Sequence, residues 1–313
     1  MNSSSVDESA TDGAVARLSR EAGNTGNPYL ITGPALISFS GGRTSAFMLW
    51  NILQAHGGTL PADVVVAFAN TGKERPETLR FVQECEARWG AHIHWLEWRD
   101  EVRGFTVVGP NSASRYGEPF DALIDKKQRL PNGQERWCTE YLKVRPMHGL
   151  MRMIGYGEPG DYLEAIGLRH DEGHRILKGF ARAEKHGRRI AYPLANAKVS
   201  KADVQAFWWG PDRRYETSAQ PQGFDLELPS LWGNCDLCFA MGVALREERV
   251  RQDPTVAPWW AAAERRTGGA FSKRESVVDL QRRAVLRNAT PDLFDDLDDA
   301  ECGSWCGPEE EAA

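Results

Sequence analysis

Three stretches of the chain carry side chains whose types and spacing can do chemistry. Ser40-Gly41-Gly42-Arg43-Thr44-Ser45 follows the apolar run Ala35-Leu36-Ile37 and precedes the helical-looking Ala46-Phe47-Met48-Leu49-Trp50. The two glycines let backbone N–H groups approach an anion with no Cβ in the way, the hydroxyls add donors, and a helix start adds a positive dipole end, so the stretch suits a phosphate. It is not a Walker A loop, because no Gly-x-x-x-x-Gly-Lys spacing is present, and a Gly-Gly pair by itself is more often an ordinary turn. Cys235-Asp236-Leu237-Cys238 has the spacing that turns two thiolates toward one metal, which serves half a zinc knuckle, a redox pair or a cluster ligand pair. Arg169 and Arg175 follow a buried-strand pattern over residues 162–166. They can clamp a phosphate in bidentate fashion or pair as surface arginines with Asp171 and Glu172.

Such groups need a scaffold, and the pattern around them is βαβα. A strand over 35–39 leads to a helix that stops at Gly57-Gly58, a strand over 63–69 leads to a helix over 76–89, and a strand over 91–95 follows. Continuous apolar strands alternating with amphipathic helices predict an α/β fold, a parallel sheet with helices on both faces. In such sheets ligands sit at the carboxyl ends of the strands, where the loop 40–45 lies. Pro76 suits a first helical turn, and Glu74 and Glu77 suit its positive end. Ser200-Lys201-Ala202-Asp203 reads as a capping box opening a helix to Trp209. The expected division is a mobile N-terminal arm over 1–34, a nucleotide-binding α/β domain over 35–230, a helical cysteine-containing region over 231–290 and an acidic tail over 291–313.

Five ordered segments resemble the N-type ATP pyrophosphatases (the PP-loop, or adenine nucleotide alpha hydrolase-like, group) and their relatives the phosphoadenosine phosphosulfate reductases. Ser-Gly-Gly-x-x-Ser at 40–45 is similar to their pyrophosphate loop. Asn70-Thr71-Gly72-Lys73-Glu74-Arg75-Pro76-Glu77-Thr78 resembles their Asp-Thr-Gly-x-x-Phe-Pro-Glu-Thr, with Asn for Asp and Arg for Phe. Cys138-Thr139-Glu140-Tyr141-Leu142-Lys143-Val144-Arg145-Pro146 resembles their Cys-Cys-x-x-x-Lys-x-x-Pro, with Thr139 replacing the second cysteine. Residues 167–175 are similar to their Gly-x-Arg stretch, and Pro193-Leu194 matches a Pro-Leu element. The likeness covers roughly residues 35–240.

The resemblance implies ATP or an adenylyl sulfate nucleotide, with Mg²⁺, on Ser40, Gly41, Gly42, Arg43, Thr44 and Ser45, on Asn70, Thr71 and Gly72, and on Arg175. It implies catalytic roles for Arg169 and Lys143, and a 4Fe–4S cluster on Cys138, Cys235 and Cys238. The expected activity is ATP-dependent adenylation coupled to iron–sulfur-assisted sulfur transfer. Two alternatives stand beside it: a thiol-dependent sulfonucleotide reductase, and a non-catalytic nucleotide-binding iron–sulfur subunit of a nucleic-acid modification or defence complex. Glu301-Cys302-Gly303 resembles the start of the reductases' nucleophile segment, although Trp305 stands where their His should be. Cys302 is therefore a candidate nucleophile, and Cys302 or Cys306 a candidate fourth cluster ligand.

Composition narrows the partners. A net charge of −6 disfavours a general nucleic-acid coat and leaves room for a local basic face. Lys178, Arg182, Lys185, Arg188 and Arg189 form one such run, and Trp208, Trp209, Trp232, Trp259 and Trp260 are candidates for base stacking or, in the commoner reading, for packing. A nucleic acid is thus a candidate acceptor, and a cysteine desulfurase a candidate sulfur donor. No run approaches the roughly 20 apolar residues of a membrane span, and no leader pattern opens the chain, so the expected location is cytoplasmic. Cys85 falls on an apolar helical stripe with Leu79, Val82 and Trp89 and is expected in the core.

Overall fold

Strand β1, Ala35–Phe39, is covered on both faces: Ile37 and Phe39 point into one apolar cluster and Leu36 into another. Two-sided burial is what makes such a strand a continuous apolar run instead of an alternating one. The structure, a computed structural model, describes residues 26–210, 222–229, 232–233 and 235–289. Five further strands complete the sheet: Val64–Asn70 (β2), Ile93–Trp98 (β3), Phe105–Val108 (β4), Leu163–Ile166 (β5) and Arg189–Ala191 (β6). Their order is β4-β3-β2-β1-β5-β6. All neighbours run parallel except β3 and β4. The chain builds outward from β1 to β4, then returns to lay β5 on the other side of β1. That reversal opens a crevice between the carboxyl ends of β1 and β5.

Helices α1 (Arg43–Ala55) and α2 (Pro76–Trp89) cover one face, with Met48, Ile52, Phe81 and Val82 in its cluster. Helix α2 begins on Pro76 and stops on a left-handed Gly90, the Pro-in, Gly-out asymmetry that made it legible. Helix α3 is Glu118–Lys127, and the next, α4, is Arg145–Met153. Met147, Leu150 and Met151 of α4 cover the opposite face against Leu36, Val65 and Leu96. Beyond β5 come α5 (Gly173–Lys185) and α6 (Lys201–Trp209), whose capping box on Ser200 and Asp203 is present as expected. The C-terminal region is helical: α7 (Val243–Gln252), α8 (Ala257–Thr267) and α9 (Val277–Ala289).

Two features differ from the sequence-based expectation. The sheet is mostly, not wholly, parallel, because β4 is an antiparallel edge strand. Helix α4 was hidden by Pro146 and Gly149, both poor helix interiors. Pro146 sits in its first turn, where a missing N–H costs nothing, and Gly149 permits close approach: a Cβ there would lie 2.7 Å from the Phe105 ring.

One apolar cluster joins Phe120 and Leu123 of α3 and Leu142 to Leu237, Val250, Trp260 and Ala284, so residues on both sides of position 230 share a core. Ile31, from the stretch expected as an arm, is buried in the main cluster. Among the described residues no helix is long and apolar enough to cross a membrane. The tail with Cys302 and Cys306 lies outside the described residues.

Candidate functional site

The loop after β1 is fixed by its own hydroxyls. Ser45 Oγ lies 2.9 Å from Ser40 Oγ and donates to Gly42 O, and Ser40 N donates to Ser45 Oγ. The glycines have different jobs. Gly41 has a positive φ of 76°, and a Cβ on it would stand 2.8 Å from Thr78 Cγ2, so it seats the loop against α2. Gly42 is extended and faces open space, its nearest neighbour being Ser40 Oγ at 3.7 Å. Gly42 caps α1 and, having no side chain, offers no capping acceptor to the first-turn N–H groups.

Arg43, expected on the ligand, lines the cavity described below and is also held by the protein. Its Nε and Nη2 donate to Asp225 at 2.7 and 2.5 Å, and its guanidinium lies 4.7 Å from the Trp209 ring centroid. Trp208 Nε1 donates to the Arg43 carbonyl. The side chain therefore locks the loop to α6.

The segment after β2 is also built inward. Asn70 Nδ2 donates to Glu97 and to Ser114 O, while its Oδ1 accepts from Gly72 N. Gly72, at φ 77°, packs against Gly117. Thr71 N and Oγ1 hold the Glu74 carboxylate, and Thr71 Oγ1 lies 3.6 Å from Cys235 Sγ. Of these three expected nucleotide residues only Thr71 lines the cavity described next.

A cavity of about 530 Å³ runs from the loop to the cysteines. Ser40, Gly42, Thr44, Arg169, Lys143, Cys138, Cys235 and Cys238 all line it. Arg169 arrives from the loop after β5: its Nη1 donates to Thr44 Oγ1 and its Nε to Asp171. Arg175 also lines the cavity and pairs with Glu172.

The three thiols reach the cavity from two elements. Cys138 precedes a widened π turn, Glu140–Val144, that carries Lys143. Pro146, four residues after Leu142, has no N–H to return to that carbonyl, which favours the wider turn. The Cys235–Cys238 turn is stitched to the segment after β2 by a bridge between Glu74 and Cys235, by Asp236 N donating to Lys73 O, and by a 2.9 Å Lys73–Asp236 ion pair. Burial and the neighbouring Cys235 push the Cys138 thiol up to about 11, and burial pushes Cys235 up to about 12. Burial opposes the Lys143 ammonium, but Cys235, Glu74, Cys238 and Cys138 outweigh it and raise its pKa. Among the described residues no three His, Cys, Asp or Glu side chains are arranged to hold a single metal ion. The donor set of three thiols beside Lys143 suits an anionic iron–sulfur cluster, which needs its thiolates further apart than one ion does.

A second polar cluster carries no sequence motif. Glu164, inside β5, accepts from Arg188 at 2.7 and 2.5 Å and pairs with His148 at 3.1 Å, and all three line the same cavity. Burial raises the Glu164 pKa, yet the hydrogen bonds from His148 and Arg188 hold it below the ordinary carboxylate value. The one available signal was a charged residue in a buried strand pattern. The basic run is split: Lys178 and Lys185 lie exposed on α5, whereas Arg182 and Arg188 face the cavity. Trp208, Trp209, Trp232 and Trp260 are buried, which removes them as base-stacking platforms, and Cys85 is buried in the core with its thiol pushed well up.

No protein-family model matches the chain. It is similar to the uncharacterized nin region protein ORF290 of Escherichia phage lambda, 30% identical over 225 residues that span 68% of this chain and 70% of that protein. It is also 30% identical over 165 residues, 52% of its length, to the uncharacterized protein MJ0066 of Methanocaldococcus jannaschii, of which it spans 29%. Among solved structures, the NH3-dependent NAD synthetase of Campylobacter jejuni is covered over 100% of its length and 93% of this chain, at 11% identity and a TM-score of 0.36. The U34-tRNA thiolase NcsA of Methanococcus maripaludis, solved with its 4Fe–4S cluster, is covered over 85% and 96%, at 13% identity and a TM-score of 0.34. Scores this low support no statement about this chain.

Proposed function

The chain belongs to the family of the nin region protein ORF290 of Escherichia phage lambda, and we propose that it is a PP-loop enzyme, similar to phosphoadenosine phosphosulfate reductases, that adenylates an acceptor with ATP and couples this to sulfur transfer. One observation carries the reading: a single cavity of about 530 Å³ is lined both by the loop 40–45 and by Cys138, Cys235 and Cys238. A volume of that order holds a nucleotide with room for a second reactant.

In this reading the ATP phosphates lie against Gly42 and the N–H groups opening α1, with the Thr44 hydroxyl and the Arg169 guanidinium beside them. An acceptor oxygen attacks the α-phosphorus, the bond to the bridging oxygen of the β-phosphate breaks, and pyrophosphate leaves with that electron pair. The protein supplies position and positive charge where the leaving group gains negative charge. Mg²⁺ would arrive on the phosphates themselves. Cys138, Cys235 and Cys238 would hold a 4Fe–4S cluster, which when bound supplies iron able to take a sulfur ligand. Lys143, at 3.7 Å from Glu74, keeps a positive charge facing the thiols. A sulfur nucleophile then displaces AMP from the adenylated acceptor. The donor in this scheme is sulfide, or the persulfide of a desulfurase, whose S–S bond a second thiol must then cleave with formation of a disulfide; a nucleic acid is the candidate acceptor.

The test is anaerobic purification with iron and acid-labile sulfide analysis, together with ATP titration by calorimetry. Saturable ATP binding and about four irons per chain are expected for a cubane cluster. Stoichiometric zinc without sulfide, or no ATP binding, overturns the reading. Sulfite release from adenylyl sulfate that depends on Cys302 would establish the reductase alternative instead.

A further inference from the structure

Arg182, in the last turn of α5, lines the cavity, and its guanidinium has no hydrogen bond or ion pair among the described residues. Arg188 stands beside that turn: past the left-handed Gly187 the chain folds back, and Arg188 N donates to Ala183 O at 2.8 Å. Arg188 commits Nε and Nη2 to Glu164, which fixes the plane of its guanidinium, and its Nη1 has no protein acceptor among the described residues. Glu164 also pairs with His148, so its charge is already shared and does not serve Arg182. The two arginines thus carry one positive charge more than Glu164 offsets, and an anion with several oxygens completes such a wall.

This wall is separate from the loop 40–45. Glu164 pairs in register with Leu36, four residues before Ser40, so it lies roughly 13 Å back along the sheet at a strand rise of about 3.3 Å per residue. His148 of α4 meets it there, on the face that α4 covers. Outside the cavity the positive charge continues. Arg175, Lys178, Arg182 and Lys185 follow at spacings of three, four and three, which sets them in one stripe along α5. Lys178, Lys185 and the neighbouring Arg189 are exposed, and the helix's one acid, Glu184, lies off the stripe. A small phosphorylated molecule needs the inner pair alone, whereas a row of cations running from solvent into a cavity matches a chain of phosphates.

We infer that α5 is the docking track of a single-stranded nucleic acid, with Lys178 and Lys185 along its backbone outside and Arg182 and Arg188 on the phosphate of the nucleotide that enters the cavity. This rests on the reading that the cavity binds ATP and modifies an acceptor, and it gives that acceptor its class and its path. A base inside a duplex stack does not reach a cavity wall, so the strand enters unpaired.

The experiment uses the full chain and a fluorescent single-stranded oligonucleotide of about ten nucleotides, as RNA and as DNA, titrated at several salt concentrations. Wild type, Arg182→Gln, Arg182→Lys and Lys185→Ala are compared, and ATP is titrated on each by calorimetry. Wild type should bind saturably, with log K falling linearly against log salt. Arg182→Gln should weaken binding about tenfold and flatten the slope by about 0.7, the share of one phosphate contact on a single strand. Lys185→Ala should flatten the slope by a similar amount, and Arg182→Lys should keep the slope while losing part of the affinity. Wild-type binding and slope in both neutral variants overturn the inference. So does a nucleoside 5′-monophosphate that displaces the oligonucleotide at equal concentration, because the inner pair would then account for recognition. An ATP affinity that falls by the same factor in Arg182→Gln also overturns it, since the arginine would then serve the ATP. If Arg182→Gln does not fold, the slope of Lys185→Ala decides. A wild type that binds ATP and no oligonucleotide overturns the inference and leaves the enzyme reading in place; one that binds the oligonucleotide and no ATP overturns the enzyme reading instead.

Discussion

Arg169 Nη1 stands 3.3 Å from Thr44 Oγ1, so the loop after β5 and the loop after β1 meet across the point where the sheet reverses its order. Gly167 makes the approach close: a Cβ on it would lie 3.3 Å from Ser45 Cα. Residues more than a hundred positions apart thus share one wall of the cavity, at the crevice where open α/β sheets bind ligands.

The two loop glycines separate binding from folding. Gly42 has an extended backbone and open surroundings, so Gly42→Val should fold normally while its branched side chain occupies the space beside the helix start. ATP binding, measured by calorimetry, should be abolished with the melting temperature unchanged. Gly41→Ala should do the reverse. Its positive φ and the 2.8 Å approach to Thr78 Cγ2 predict a loss of about 1–3 kcal/mol in urea unfolding. Unchanged ATP affinity in a folded Gly42→Val protein would place the phosphates elsewhere.

Arg43 supplies a prediction against its own motif. Its buried pair with Asp225 means that Asp225→Asn leaves a guanidinium without its counter-charge, at a cost of roughly 3–5 kcal/mol by denaturant unfolding. The residual folded protein should bind ATP with near wild-type affinity, because the guanidinium serves the packing of α6 and not the phosphates. An affinity that collapses in step with the ion pair would return Arg43 to the ligand.

What the sequence disclosed follows from how local each signal is. Strand β1, helix α2 and the capping box on Ser200 rest on neighbours in the chain, and they stand where periodicity and capping residues put them. The edge strand β4 is only four residues long with one buried side chain, and α4 carries a proline and a glycine, so neither had a clear period. In the site, the loop and the three cysteines were legible as motifs, and the cavity joins them. The second partner of each interaction was not legible: Asp225 lies 182 positions from Arg43, and Cys235 lies 164 positions from Thr71. A motif states which residue types matter; long-range packing decides which protein groups a side chain such as Arg43 or Asn70 also engages.

Glu164 makes part of the stability depend on acid. Its native pKa is lowered by His148 and Arg188 despite burial, so the unfolded chain binds its proton more readily than the native one. The contribution is complete above about pH 4.3, the ordinary glutamate value, and is lost as pH falls below it through the native value. Glu164→Gln should cost about 1–3 kcal/mol at neutral pH and should flatten the fall of stability in the acid range. Parallel acid-unfolding curves for the two proteins would show that the carboxylate is not what titrates.

The cysteines divide into two kinds by what surrounds them. Cys85 lies wholly within the main apolar cluster, whereas Cys138, Cys235 and Cys238 line the cavity. Cys85→Ala should cost about 1 kcal/mol of stability and leave the iron content of an anaerobic preparation intact. Cys138→Ser and Cys235→Ser should each lose most of the iron with little change in secondary structure by circular dichroism. Iron retained in both serine variants would dissociate the cavity thiols from the metal.

The last prediction concerns the joint between the two halves of the cavity. Lys73 pairs with Asp236 at 2.9 Å and lies 4.8 Å from the Trp259 ring centroid, so the segment after β2 and the Cys-x-x-Cys turn move as one piece. Both partners are largely buried, and Asp236 also holds Trp260 Nε1 at 2.7 Å. Lys73→Met should therefore leave a poorly compensated carboxylate, and Asp236→Asn a poorly compensated ammonium, each destabilising by several kcal/mol. The double variant removes both charges and should recover part of the loss, with a coupling energy of about 1–3 kcal/mol in a double-mutant cycle. Because the pair ties Thr71 and Glu74 to Cys235, the single variants should also release reconstituted iron faster under a chelator, and the double variant should still release it faster than wild type, since neutralising the charges restores stability but not the tether. Additive stability effects together with wild-type iron release would show that the two segments are held by packing alone and that the ion pair is incidental.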